Sequence, residues 1–371
     1  MPKGIIVTQD LQETLVNDAP EAAPGMTYKN AGVDIDAKSK AIDRLRDRAQ
    51  ATLGTHGGPI GHFGGTYRLA TTGDQILVAS ADGVGTKLKL AFTLGGEQHA
   101  RVGRDIVNHC VNDILALGAI PLFFLDYFAT GRLDGDVVES VVGGIADSCV
   151  ENAMALLGGE TAEMPDMYAE GEYDLAGFIV GATRQDQVVD GSKIVPGDVV
   201  IGLPSIGLHT NGFTLARRIV GLTGDYESDR ALLGQPLPGS SQTIGEALME
   251  GHPTYLPTVR PLLERGLVRG MAHITGGGLT DNLPRVLPAS CIARLDPSLW
   301  QVPPVFSWLV ARGNLAIAER YRVFNMGVGF VLVATAENTQ EILSQVTSAR
   351  QIGTIVERLT SDESAVQGLS C

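Results

Sequence analysis

Gln75-Ile76-Leu77-Val78-Ala79-Ser80-Ala81-Asp82-Gly83-Val84-Gly85-Thr86-Lys87 runs from an apolar strand into a glycine turn, and residues 88–93 continue it as a helical stretch. A strand that leaves through Gly-x-Gly into a helix frees several backbone N–H groups. Together with the helix dipole they can hold phosphate. Lys87 adds a positive charge and Asp82 a metal-binding oxygen. The spacing G-x-x-x-x-G-K-[ST] of a Walker loop is absent. A plain strand–helix turn carrying a surface Asp and Lys reads the same way, so the rest of the chain must decide.

Just upstream, residues 66–72 and 75–81 read as a hairpin around Gly73-Asp74. Strand therefore follows strand directly here. Further along, residues 36–53, 99–117 and 136–157 read as helices, with Asp36 capping the first. Residues 122–129 and 173–183 read as strands. The polar, turn-rich stretch 185–198 marks a boundary. Beyond it strands are expected at 198–203 and 327–334, and helices at 211–220, 255–265 and 279–287. This mixture predicts an α+β protein of two domains, each a mixed or antiparallel sheet packed with helices. The expected limits are a flexible extension over 1–25, a first domain over 26–184 and a second over 185–371.

The bulk numbers agree with a globular chain. It has 371 residues, 44% of them hydrophobic, and no apolar run long enough to span a bilayer. Residues 1–25 lack the pattern of a signal peptide. Cys110, Cys149, Cys291 and Cys371 show no paired spacing, which predicts reduced thiols and a cytoplasmic setting. A formal charge of −14 argues against nucleic-acid and membrane partners. An anionic ligand must then be held by local devices.

Several such devices recur. In helix 99–117, Asp105, Asn108 and Asn112 share one face at i, i+3 and i+7, opposite an apolar stripe. One acid and two amides suit coordination of Mg²⁺ or bonds to a nucleotide; a solvated face would more often carry Lys, Arg and Glu. Gly158-Gly159-Glu160-Thr161 offers close backbone approach and a carboxylate, or simply a helix end and a surface loop. His209-Thr210-Asn211-Gly212 leaves a strand for a helix, where anions bind. His209 is a candidate donor or general acid there, and Asn211 a candidate cap. Thr275-Gly276-Gly277-Gly278 is a further cradle, since three glycines carry an entropic cost a plain turn need not bear. His62 is a lone histidine in a glycine-rich loop. Phosphate cradles with oxygen ligands, and no nucleophile–base pair, suit phosphoryl transfer.

These segments, in this order, resemble the phosphoribosylformylglycinamidine cyclo-ligase family. The likeness is carried by Tyr28-Lys29-Asn30-Ala31-Gly32-Val33-Asp34-Ile35-Asp36, by 82–87, by Val111-Asn112-Asp113-Ile114 and by 121–131. It continues through 158–165, 209–213, 273–278 and 324–329. The resemblance implies an N-terminal domain that dimerises through its sheet into a homodimer. It also implies ATP with Mg²⁺ in a cleft, and formylglycinamidine ribonucleotide as substrate. Asp82, Asp105 and Glu160 would then be metal ligands, and Asp82, Lys87 and His209 the catalytic set. Gly83, Gly85, Thr86, Lys87, Asn108, Asn112, Gly159 and Thr161 would hold the nucleotide. His209, Thr210, Asn211, Thr275, Gly276, Gly277 and Gly278 would hold the substrate phosphate. Arg46 stands where the family carries lysine. The alternatives are another ATP-using member of the same superfamily, such as a thiamine monophosphate kinase, or a nucleotide-binding regulator.

Overall fold

The structure is a computed structural model describing residues 25–369 except 55, 59, 60 and 70–72, with side chains left out at 41–49. The extension expected at the N-terminus and the Arg46 side chain lie outside the described residues.

The first sheet has five strands in the order β1-β2-β5-β3-β4. They are β1 (Gly65–Arg68), β2 (Gln75–Gly83), β3 (Ile120–Thr130), β4 (Ala155–Glu163) and β5 (Tyr173–Arg184). All pairings are antiparallel except β3 with β4. Before and between these strands run α1 (Ile35–Thr52), α2 (Leu88–Leu94), α3 (Gln98–Leu115) and α4 (Gly135–Glu151). On β5, period 2 puts Leu175 and Ile179, both fully buried, on the face covered by α3. Gly177 lets α3 settle close, because a Cβ there would lie 2.2 Å from Phe124 and 3.0 Å from Ile106.

The opposite face of that sheet is also apolar. It carries Tyr67, Tyr127 and Phe178, which are 49%, 38% and 41% exposed. An antiparallel sheet with one wet face normally alternates apolar with polar residues. This one does not.

The second sheet has six strands in the order β11-β8-β10-β6-β9-β7. They are β6 (Val199–Pro204), β7 (Gly270–His273), β8 (Cys291–Leu295), β9 (Val328–Ala334), β10 (Arg350–Glu357) and β11 (Val366–Gln367). Its helices are α5 (Phe213–Val220), α6 (Tyr226–Leu233), α7 (Ile244–Leu248), α8 (Leu256–Glu264), α9 (Gly278–Asn282), α10 (Pro304–Gly313), α11 (Ile317–Val323) and α12 (Ala336–Gln345). β9 is buried along its whole length, as a central strand covered on both faces must be.

The two-sheet α+β expectation holds, with local differences. Asp34, not Asp36, caps α1 by accepting from the Ala37 amide at 2.9 Å; Asp36 instead pairs with Arg322 of the second half. The helix expected over 136–157 ends at Glu151, where Ala153 takes a left-handed φ of 54°. The chain then pairs with β3 as an edge strand, so Gly158-Gly159-Glu160 is extended rather than a loop. Helical periodicity alone could not report that partner. Among the described residues, no helix is long and apolar enough to cross a membrane.

Candidate active site at the joint between the two sheets

α3 is buried all round from Asp105 to Leu115. Its apolar stripe meets the first sheet. Its polar face meets residues 251–255 of the second half. Asp105 Oδ1 accepts from His252 N at 2.7 Å, and Asn108 Nδ2 donates to His252 O at 2.8 Å. Asn112 Oδ1 accepts from Tyr255 N at 2.8 Å, and its Nδ2 donates to Pro253 O at 2.9 Å. Three side chains at i, i+3 and i+7 thus satisfy a loop backbone as a neighbouring strand would. The remaining oxygen of Asn108 accepts from Ser148 and Asn152. The ligand-facing roles expected for Asp105, Asn108 and Asn112 do not match these contacts. Such a face reads identically in sequence whether it meets a nucleotide or a backbone.

Lys87 departs in the same direction. Its side chain is fully buried, with Nζ 2.6 Å from Asp105 Oδ2. Nζ also donates to His209 O at 3.0 Å and Glu250 O at 2.8 Å. Burial lowers its pKa, against the pull of Asp105. In this structure the ammonium ties the end of the glycine turn to the second half, not to solvent or an open cavity.

Asp82 lies at the end of β2 with its side chain 46% exposed. Its Oδ1 accepts from Gly83 N at 2.7 Å, and its Oδ2 lies 2.9 Å from His109 Nε2. The other nitrogen of His109, Nδ1, is 2.7 Å from Thr210 Oγ1. Burial pushes His109 down, but the carboxylates of Asp82 and Asp113 outweigh it and raise the pKa to about 9. Burial likewise opposes ionisation of Asp82, yet His109 holds that carboxyl below its usual range.

A pH dependence follows. A histidine raised from about 6.5 stabilises the fold fully below that pH and loses its contribution as pH rises through its folded value. Thermal stability of the native chain relative to Asp82→Asn is expected to be largest at about pH 5–6.5 and to decline above it. The gap should close as pH rises to about 9. A gap that stays constant across that window would contradict the pairing.

Beyond Asp82, the turn faces the loop after β6. Thr86 Oγ1 lies 2.8 Å from Thr214 Oγ1. The Gly83 amide is taken by Asp82, and the Val84 amide by Leu175 O at 3.0 Å. An anion at this turn would therefore meet Gly85 and Thr86. His209 has a left-handed φ of 63°, a backbone strain that often accompanies function. Its ring stacks on His252 at 4.1 Å, and neither ring nitrogen has a hydrogen-bond partner. Burial drives its pKa well below the ordinary value. As a neutral imidazole it can offer one N–H, but it holds no proton to give as a general acid. Asn211 does not cap α5, whose N-cap is Gly212 in the left-handed region. Instead Asn211 Oδ1 lies 3.1 Å from where a Cβ on Gly276 would stand, so this loop and the Thr275–Gly278 turn adjoin. Asn282 holds that turn from below through the carbonyls of Thr275, Gly276 and Gly278.

Glu160 lies apart. It is exposed on β4, in register with Tyr127, Ala176 and Gly83, whereas Asp82 is in register with Gly177, Asp126 and Gly159. Adjacent rows point to opposite faces, and β4 is three strand spacings, about 14 Å, from β2. Asp82, Asp105 and Glu160 do not meet within one chain. Gly159 and Thr161 go with Glu160 on that edge. His62 is an electrostatic neighbour of Asp190, on the segment joining the sheets.

Sequence reasoning missed His109 and His252. His109 and Asp113 stand at i and i+4 on α3, a spacing that was available. His252 lies in a loop with no local signal.

The comparisons agree with this architecture. "AIR synthase related protein, N-terminal domain" matches residues 64–183, and "AIR synthase related protein, C-terminal domain" matches residues 195–362. Fold and site thus define a two-domain protein of the AIR synthase-related class. The phosphoribosylformylglycinamidine cyclo-ligase of Nitratidesulfovibrio vulgaris is 47% identical over 348 residues, 92% of this chain and 97% of that protein. The chloroplastic/mitochondrial phosphoribosylformylglycinamidine cyclo-ligase of Vigna unguiculata is 49% identical over 339 residues, covering 91% and 82%. The chain belongs to the phosphoribosylformylglycinamidine cyclo-ligase family, a family of ligases. Among solved structures, thiamine monophosphate kinase from Aquifex aeolicus aligns with a TM-score of 0.57 at 15% identity, over 90% of this chain and 97% of that one. The hydrogenase maturation protein HypE in complex with ATP gives 0.57 at 20% identity, over 90% and 91%. At such identities the likeness is one of fold.

Proposed function

We propose that this chain closes an imidazole ring in purine biosynthesis, converting formylglycinamidine ribonucleotide and ATP to aminoimidazole ribonucleotide, ADP and phosphate. The formyl oxygen attacks the γ-phosphorus and the bond to the ADP oxygen breaks. An internal nitrogen then attacks the activated carbon, the carbon–oxygen bond breaks, and phosphate leaves with that oxygen. The names of the curated relatives support this reading, and the ATP complex of a fold neighbour supports the nucleotide.

The observation that carries it is the meeting of three glycine-bearing elements across the joint. The Asp82–Lys87 turn contacts His209 and, at Thr214, the first turn of α5, and the loop between β6 and α5 adjoins the Thr275–Gly278 turn. The first would hold ATP phosphates through Gly85 and Thr86, and the other two the ribose phosphate of the substrate. Mg²⁺ requires oxygen donors. Asp82 fits, because its carboxylate is half-exposed and each oxygen keeps a free lone pair beyond Gly83 N and His109; Asp105 does not, because it is buried between Lys87 and the His252 amide. The ion would offset phosphate charge beside Asp82. Lys87 and Asp105 fix the joint, and His209 presents an N–H to substrate. Substrate labelled with heavy oxygen at the formyl group tests the chemistry. The label should appear in released phosphate; its appearance in water while ring closure proceeds would refute the scheme.

The homodimer is proposed on the uncovered apolar face of the first sheet, where Tyr127 and Phe178 are exposed. Phe178→Glu combined with Tyr127→Glu is expected to convert the native dimer to monomer in analytical ultracentrifugation. A native chain that is already monomeric, or a variant that remains dimeric, would contradict it. The buried free thiols of Cys110, Cys149 and Cys291 suit a cytoplasmic setting.

A further inference from the structure

Four of the chain's seven histidines, His109, His209, His252 and His273, converge in the joint. Ring centroids are 4.9 Å apart for His109 and His273, 5.1 Å for His252 and His273, and 5.3 Å for His109 and His252. His109 arrives from α3, His209 from the loop after β6, His252 from the loop before α8 and His273 from β7, four places far apart in sequence.

Their hydrogen bonding is internally mismatched. His273 Nδ1 lies 2.8 Å from Asp113 Oδ1, so a neutral ring carries its proton there and leaves a lone pair on Nε2. That lone pair faces His252 Nε2 at 3.1 Å. Asn112 Nδ2, a donor only, also approaches His252 Nε2, at 3.3 Å. The Asn112 amide cannot turn round, since its oxygen accepts from Tyr255 N and its nitrogen donates to Pro253 O. His252 Nε2 can serve one neighbour or the other, and its Nδ1 is buried with no partner in either case.

We propose that His252, His273 and His109 form a binding site for a zinc-class divalent cation at the joint. Zn–N bonds of about 2.0–2.1 Å place two nitrogens of a tetrahedral site about 3.3 Å apart, close to the separation of the two facing Nε2 atoms. One nitrogen from each of the three rings lies within 4.8 Å of the others. Imidazole suits late divalent metals far better than Mg²⁺. Asp113 supplies the carboxylate that orients a ligating histidine through its other nitrogen, and Ser80 Oγ in turn donates to Asp113 Oδ2 at 3.0 Å. Both nitrogens of His109 are engaged, Nε2 with Asp82 and Nδ1 with Thr210, so it enters as the third ligand by giving up one of those contacts.

The test needs neither ATP nor substrate, so it stands or falls separately from the proposed reaction. The full chain, stripped with a chelator, is titrated with Co²⁺ and followed by visible absorption and equilibrium dialysis. One equivalent should bind with the intense absorption of four-coordinate cobalt, and Zn²⁺ should displace it. His252→Ala and His273→Ala, each checked for folding by circular dichroism, should lose that spectrum. Asp113→Asn should weaken binding by about 10–100-fold. His99→Ala should bind as the native chain does, because His99 pairs with Tyr173 elsewhere. A native chain without stoichiometric binding, or an undiminished spectrum in both histidine variants, would overturn the site.

Discussion

Asp82→Asn is expected to lower the turnover number by at least about 100-fold while leaving the fold intact, in line with losing one preorganised charge from a phosphoryl-transfer site. The substitution keeps the size of the side chain. An amide oxygen at the Oδ1 position can still accept from the Gly83 amide. What goes is the negative charge, which pairs with His109 and which the proposed function sets beside a cation on the nucleotide. Melting temperature should fall modestly near neutral pH and recover its native value near pH 9, where His109 loses its proton in the native chain as well. Ring closure at close to the native rate would remove Asp82 from the site.

Lys87→Met is expected to act on stability first. Removing one partner of a buried ion pair costs about 3–5 kcal/mol, because the other charge stays desolvated. Here Asp105 would be stranded at 1% exposure, and the His209 and Glu250 carbonyls would lose their donor. The melting temperature should drop on the order of 10 °C, with a matching shift in urea midpoint. Lys87→Arg should not rescue, since a planar fork cannot reproduce a point contact with three oxygens. A variant of native stability that has lost nucleotide binding would instead return Lys87 to the phosphates, as the sequence pattern suggests.

That contrast marks where the sequence stops informing. The apolar runs of β2 and β5 and the direct succession β1–β2 around Gly73-Asp74 made the α+β class readable, because these signals are local. β4 was hidden, since a left-handed Ala153, with no glycine to announce it, ends α4, and the strand that follows shows itself only in its pairing with β3. The glycine turns at 82–87, 209–212 and 275–278 were visible as motifs, and their proximity follows from the way the two halves pack. Asp105, Asn108 and Asn112 were visible as one face, but what that face meets is a loop 140 or more positions away. The His109–His252–His273 cluster is likewise a product of packing, and no spacing encodes it.

Release of ADP by the purified chain, measured with formylglycinamidine ribonucleotide, thiamine phosphate or selenide in parallel, separates ring closure from other ATP-driven phosphorylations. ADP, phosphate and aminoimidazole ribonucleotide are expected in equal amounts with the first compound, and background release with the other two. Equal or greater release with thiamine phosphate or selenide, or none with formylglycinamidine ribonucleotide, would contradict ring closure.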